Sequence, residues 1–202
     1  MTVPTSDARD YLENWLKERR ITEVECQVPD LAGISRGKIL PANKFITTLR
    51  DRGLRIPESI FIQTVTGGFP DNSDVNPADS DVYLTPDVAT LRVVPWHREP
   101  TAQIINDCTY ADGSVVDISP RQVLKRVVDL YRDKGLSAVV APELEFYLVA
   151  KNVDPDLPLE PPVGRSGRPE TGRQAFGIDA TNEFDPLFED VYDYCEVQEL
   201  DI

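Results

Sequence analysis

Ala8, Tyr11, Leu12, Trp15 and Leu16 follow the i, i+3, i+4, i+7, i+8 spacing of one apolar helical face. Ser6 is placed to cap its start, and the helix is predicted to end near Arg20. The period then changes to two. Val24, Cys26 and Val28 alternate with Glu23, Glu25 and Gln27, which predicts a half-buried strand turning at Pro29-Asp30-Leu31-Ala32-Gly33 into a hairpin partner over residues 35–40. Phe45, Ile46 and Leu49 mark a short helix closed by Gly53, and residues 59–65 are predicted as a further strand. Residues 66–80 show no periodicity and hold Gly67, Gly68, Pro70, Asp71, Asn72, Ser73, Asp74, Asn76 and Pro77. A polar loop of that length inside a compact domain is usually functional or mobile. Three more strands are predicted, over residues 81–85, 89–94 and 101–110.

Beyond this point the pattern becomes helical again. Ser119 as N-cap and Pro120 at the first helical position open a helix carrying Val123, Leu124, Val127, Val128 and Tyr131, which Gly135 stops. The domain break therefore falls near residues 109–118, giving units 1–112 and 113–202. Residues 136–150 read as a long strand. Five prolines and four glycines between residues 151 and 177 predict a loop or flap. Asp185-Pro186 caps a last helix whose apolar face holds Phe184, Leu187, Phe188, Val191, Tyr192 and Cys195. From Glu183 to Ile202 there are eight acids and no Lys or Arg, the pattern of a solvated acidic face. Leu200-Asp201-Ile202 alternates like a strand just begun, so the chain is expected to be the N-terminal part of a longer protein.

Charge narrows the classes of function. With 21 Lys plus Arg against 35 Asp plus Glu, the 202 residues carry a formal charge of −14, which argues against nucleic-acid or anionic-membrane binding. No apolar run approaches the roughly 18 residues of a membrane span, and no secretory signal opens the chain, so the cytoplasm is the expected compartment. Cys26, Cys108 and Cys195 are odd in number and widely spaced, which predicts reduced, buried thiols. His97, the one histidine, sits in a turn-like Pro95-Trp96-His97-Arg98-Glu99-Pro100 stretch and reads as a loop residue with no nucleophile motif to serve.

The segment richest in chemistry is Ala141-Pro142-Glu143-Leu144-Glu145-Phe146-Tyr147-Leu148. In a strand, Leu144, Phe146 and Leu148 would face the core while Glu143 and Glu145 project together from the other side, about 6.6 Å apart. Two unit charges at that separation repel by roughly 2.5 kcal/mol at an effective dielectric of 20. Either water screens the pair on an exposed face or a hard divalent cation binds it.

Four segments together resemble the glutamine synthetase family. Pro29-Asp30-Leu31-Ala32-Gly33-Ile34-Ser35-Arg36-Gly37-Lys38 is similar to its early hairpin, and Ser80-Asp81-Val82-Tyr83-Leu84-Thr85-Pro86-Asp87 to the strand that follows. Pro100-Thr101-Ala102-Gln103-Ile104-Ile105 is similar to the strand closing its N-terminal domain, and Pro142-Glu143-Leu144-Glu145-Phe146-Tyr147 to its first metal-binding strand. The resemblance implies an α+β fold, with a β-grasp-like N-terminal domain followed by an incomplete α/β catalytic domain. It implies that Glu143 and Glu145 bind Mg2+ or Mn2+, that ATP phosphorylates the γ-carboxylate of glutamate, and that an amine displaces the phosphate. It also implies a homo-oligomeric ring in which neighbouring subunits complete each other's sites.

One departure bears on the amine. The Asp-Gly-Ser-Ser motif that helps bind ammonium in glutamine synthetases proper is absent, and Thr66-Gly67-Gly68-Phe69-Pro70-Asp71-Asn72-Ser73-Asp74 stands in that loop, leaving Asp71 or Asp74 for a similar role. Together with Asn182-Glu183-Phe184-Asp185-Pro186, this resembles the γ-glutamylpolyamine synthetase branch and implies an organic amine as acceptor. The alternative is a non-catalytic fragment or relative acting only in oligomer assembly. The 202 residues alone are expected to lack ligase activity and to bind metal weakly.

Overall fold

The structure, a computed structural model, describes residues 6–51, 53–70, 79–172 and 175–202. Two compact units are present, Met1–Ala138 and Val139–Ile202.

In the first unit, helix α1 (Ser6–Glu18) buries Leu12 and Leu16, two residues of the predicted apolar face. Strand β1 (Glu23–Pro29) buries Val24, Cys26 and Val28 and leaves the residues between them partly or fully exposed, as alternation requires. It pairs antiparallel with β2 (Ser35–Pro41). Helix α2 (Ala42–Asp51) buries Phe45, Ile46 and Leu49. Strand β3 (Leu54–Pro57) follows, then a 3-10 turn (Glu58–Ile62), β4 (Asp81–Pro86), a second 3-10 turn (Val88–Thr90), β5 (Arg92–Val94) and β6 (Thr101–Thr109).

The six strands form one sheet in the order β2-β1-β6-β4-β3, with β5 also on β6. Strand β6 organises it. Its first residues run parallel to β1 on one side, and along its other side β5 and then β4 pair with it antiparallel. Helices α1 and α2 close a core in which Leu12, Val24, Phe45, Phe61, Val82 and Ile104 are 0–1% exposed. Each such side chain contributes about 1.5–3 kcal/mol of burial.

The structure corrects the reading of residues 59–65. The strand lies earlier, in β3, and the apolar run Ile60-Phe61-Ile62 forms the 3-10 turn, with Phe61 fully buried. A short apolar run does not by itself separate strand from helical turn.

Helix α3 (Pro120–Asp133) starts and stops where Pro120 and Gly135 predict, and Gly135 takes φ +70°. Its predicted apolar face is not buried: Leu124 is 62% exposed and Tyr131 45%. What holds the helix is ionic. Arg121 pairs with both Asp87 and Asp107, and Lys125 also pairs with Asp107.

The second unit is loop-rich. Residues 151–177 contain only an isolated bridge, Val163 to Pro169, among the described residues. Helix α4 (Ile178–Asn182) and helix α5 (Asp185–Val197) follow; α5 starts at Asp185-Pro186 as predicted, but Phe184 takes the N-cap position instead of a place on the helical face, and no side chain caps the start.

Candidate metal segment and amine loop

The segment bearing Glu143 and Glu145 is not a strand. No described residue forms a ladder with residues 136–149, and a strand exists only where a neighbour takes up its N–H and C=O groups. The expected core face is correspondingly uncovered, with Leu144 89% and Phe146 65% exposed. Glu143 and Glu145 are both exposed. A hard divalent cation takes about six oxygen ligands. Among the described residues no three His, Cys, Asp or Glu side chains gather to hold a metal ion, so these residues alone do not build such a centre.

Asp71 and Asp74 lie outside the described residues. The described ends of their loop are hydrogen-bonded. At one end the Thr64 N–H donates to Gly68 O at 2.9 Å, and the Gly68 N–H donates back to Thr64 Oγ1 at 3.0 Å. At the other end Asp79 accepts from the Ser59 N–H at 3.1 Å and from Ser59 Oγ at 2.9 Å. The Glu58 N–H donates to Ser80 O at 3.1 Å. Both ends of the loop are therefore fastened to the 3-10 turn, or just beyond it. That turn is itself braced on β6. Buried Glu58 accepts a 2.5 Å hydrogen bond from the Tyr110 hydroxyl just after the strand. This bond, with burial and the repulsion of the Glu58 charge behind it, pushes the Tyr110 hydroxyl up to about 12.

The family-like hairpin motif is used for architecture. Asp30 is 2% exposed and accepts from the N–H groups of Ala32 at 2.9 Å and Ile34 at 2.8 Å, and from Arg36 Nε at 2.8 Å. Burial alone would raise its carboxyl; the bonds from Arg36, Ile34 and Ala32 outweigh that and hold it below the usual carboxylate value. Gly37 lies so close to β1 that a Cβ there would stand 1.9 Å from the Cys26 carbonyl oxygen. Asp87, at the end of the second motif, accepts from the Ala89 N–H at 3.2 Å and pairs with Arg121. Its distant basic partner left no local signal in the sequence.

In the second unit Glu183 fastens the flap. Its carboxylate accepts the Ser166 N–H at 2.8 Å, and its carbonyl accepts the Arg165 N–H at 3.0 Å. The bond from the Ser166 backbone is the largest influence holding the carboxyl below its ordinary value. A Cβ at Gly164 would come within 2.7 Å of the Glu183 side chain, so the close approach requires glycine. Asn182-Glu183-Phe184, singled out in the sequence for its resemblance, thus includes a loop anchor. His97 is a partly exposed turn residue as expected, with Nε2 2.9 Å from Glu25 Oε1.

Comparison with known proteins shows what these parts are similar to. Residues 117–202 match the profile "Glutamine synthetase, catalytic domain". The chain is 28% identical over 198 residues to γ-glutamylputrescine synthetase PuuA of Escherichia coli, an alignment covering 96% of this chain and 41% of the enzyme. It is 29% identical over 148 residues to glutamate–isopropylamine ligase of a Pseudomonas species, covering 72% of this chain and 31% of that one. A solved structure described as a GmaS/ADP complex superposes with a TM-score of 0.50 at 24% identity, covering 61% of this chain and 26% of that chain, a likeness of fold. The chain thus spans less than half the length of these relatives. Residues 117–202 thus match the glutamine synthetase catalytic domain, and almost the whole of this chain aligns with part of one glutamate–amine ligase.

Proposed function

We propose that this chain is the N-terminal part of an ATP-dependent ligase that joins the γ-carboxylate of glutamate to an organic amine, a polyamine above all, through γ-glutamyl phosphate. The observation that carries this reading is the alignment over 96% of the chain to a relative named for ligating putrescine. A second relative named for ligating isopropylamine, and the absence of Asp-Gly-Ser-Ser from the loop, point the same way.

In this reading residues 1–112 form a β-grasp-like domain and residues 113–202 open the catalytic domain. Glu143 and Glu145 contribute carboxylates to Mg2+ or Mn2+, with the other ligands supplied from outside the described residues. A bound divalent ion would neutralise phosphate oxygens during phosphoryl transfer. Asp71 or Asp74 meets the ammonium group of the incoming amine, on a loop whose ends are held by Thr64, Ser59 and Asp79. The protein works in the cytoplasm as a homo-oligomeric ring.

The test uses the full-length protein with ATP and glutamate, measuring phosphate release with putrescine, isopropylamine and ammonium in turn. Faster turnover with an organic amine is the expected result. A strong preference for ammonium removes the amine assignment, and no release with any of the three removes the ligase reading.

A further inference from the structure

A groove of about 400 Å3 lies between α1 and α2, within the range of roughly 300–1,000 Å3 that small-molecule sites occupy. Its floor includes Leu16, Ile21, Ala42 and Ile46, while Lys17, Arg20 and Arg50 line it against a single acid, Glu13. Glu13 is shared between two of these cations. Its Oε1 accepts from Lys17 Nζ at 2.7 Å, and its Oε2 accepts from Arg50. The lining therefore keeps two net positive charges. The Lys17 bond, as the largest influence, holds the Glu13 carboxyl below its ordinary value, so this balance persists at neutral pH.

The opening residues of the ten-residue helix α2, Ala42 and Asn43, also line the groove. A helix N-terminus adds a partial positive charge in the same place. On a chain of net charge −14, an apolar hollow lined by cations runs against the overall field. Its charge complements an anion, and its floor complements hydrocarbon.

We infer that this groove binds a small amphipathic anion, a monocarboxylate on a short hydrocarbon chain. The carboxylate meets Lys17, Arg20 and Arg50, and the hydrocarbon covers Leu16, Ile21 and Ile46. Nothing in the ligase reading requires this site, so the two stand or fall separately.

The test is a methyl-detected NMR titration of the chain with octanoate and, in parallel, with octylammonium. Octanoate is expected to shift the Leu16, Ile21 and Ile46 methyl signals, with octylammonium binding at least about tenfold more weakly. Lys17→Ala with Arg50→Ala should weaken octanoate by about tenfold or more. Glu13→Gln, which removes the acid of the lining, should tighten it by about threefold. Spectra away from the groove report whether each variant is folded, and if the double variant is not, Glu13→Gln decides. Equal affinity for the two probes, shifts spread over the sheet, absence of shifts, or no tightening by Glu13→Gln would each overturn the inference.

Discussion

Asp30→Asn tests whether the β1–β2 hairpin is held by one buried carboxylate. The substitution keeps an oxygen able to serve the Ala32 and Ile34 N–H groups, at 2.9 and 2.8 Å in the native chain, but puts an amide against Arg36. A charge-assisted hydrogen bond contributes about 1.5–3 kcal/mol. Removing one partner of a fully buried ion pair costs about 3–5 kcal/mol. Arg36 lies between these cases: its Nη2 is buried without a partner among the described residues, yet its side chain is still 23% exposed. Water therefore recovers part of the loss, and the expected cost is about 2–3 kcal/mol. At about 2–4 °C per kcal/mol for a chain of this size, the melting temperature should fall by about 4–12 °C. The sign with pH follows from the lowered carboxyl of Asp30. Its contribution is present above the unfolded value of about 3.9 and is lost as pH falls through the lower folded value. The gap between native chain and variant should therefore narrow on acidification. Thermal melts followed by circular dichroism measure it, and a cycle with Arg36→Met isolates the pair. A variant melting within about 1 °C of the native chain at neutral pH, or a coupling near zero, would refute the reasoning.

Gly37→Ala should cost about 3 kcal/mol or more and disrupt the β1–β2 ladder, because its Cβ would meet the Cys26 carbonyl at 1.9 Å; normal stability in urea would contradict this contact. Tyr110→Phe should cost about 1–3 kcal/mol by leaving the buried Glu58 carboxylate without that donor. In the native chain the Tyr110 bond stabilises below the unfolded value of about 10 and fades as pH rises toward about 12, so one of the seven tyrosines should ionise late in an ultraviolet titration. All seven ionising together would count against the bond. The 202-residue chain should bind Mn2+ no more tightly than about 1 mM by paramagnetic broadening, and Glu143→Gln with Glu145→Gln should weaken it further. Tight binding indifferent to both substitutions would place the metal elsewhere.

The parts of the fold legible in the sequence are those whose partners lie nearby or whose burial is complete. The alternation of Val24, Cys26 and Val28 fixed both the extent and the inward face of β1, since β2, β6 and the helices cover it. Pro120, Gly135 and Asp185-Pro186 marked helix ends because termini are governed by local backbone chemistry. Pairings distant in sequence left no such mark. Arg121 finds Asp87 and Asp107, and Tyr110 finds Glu58, only after the chain has folded.

Residues 139–149 show where pattern and structure part. A period of two states which side chains share a face; it says nothing of whether another strand stands alongside. Glu143-Leu144-Glu145-Phe146 carries that alternation, yet Leu144 is 89% exposed, and the face of α3 with Leu124 is likewise open. In β1 the same kind of pattern is matched by cover, so the difference lies in the neighbours and not in the code. The hairpin motif makes the complementary point. Asp30, Arg36 and Gly37 resemble the family because the turn and the close strand approach demand them, whereas Glu143 and Glu145 have no such structural duty among the described residues.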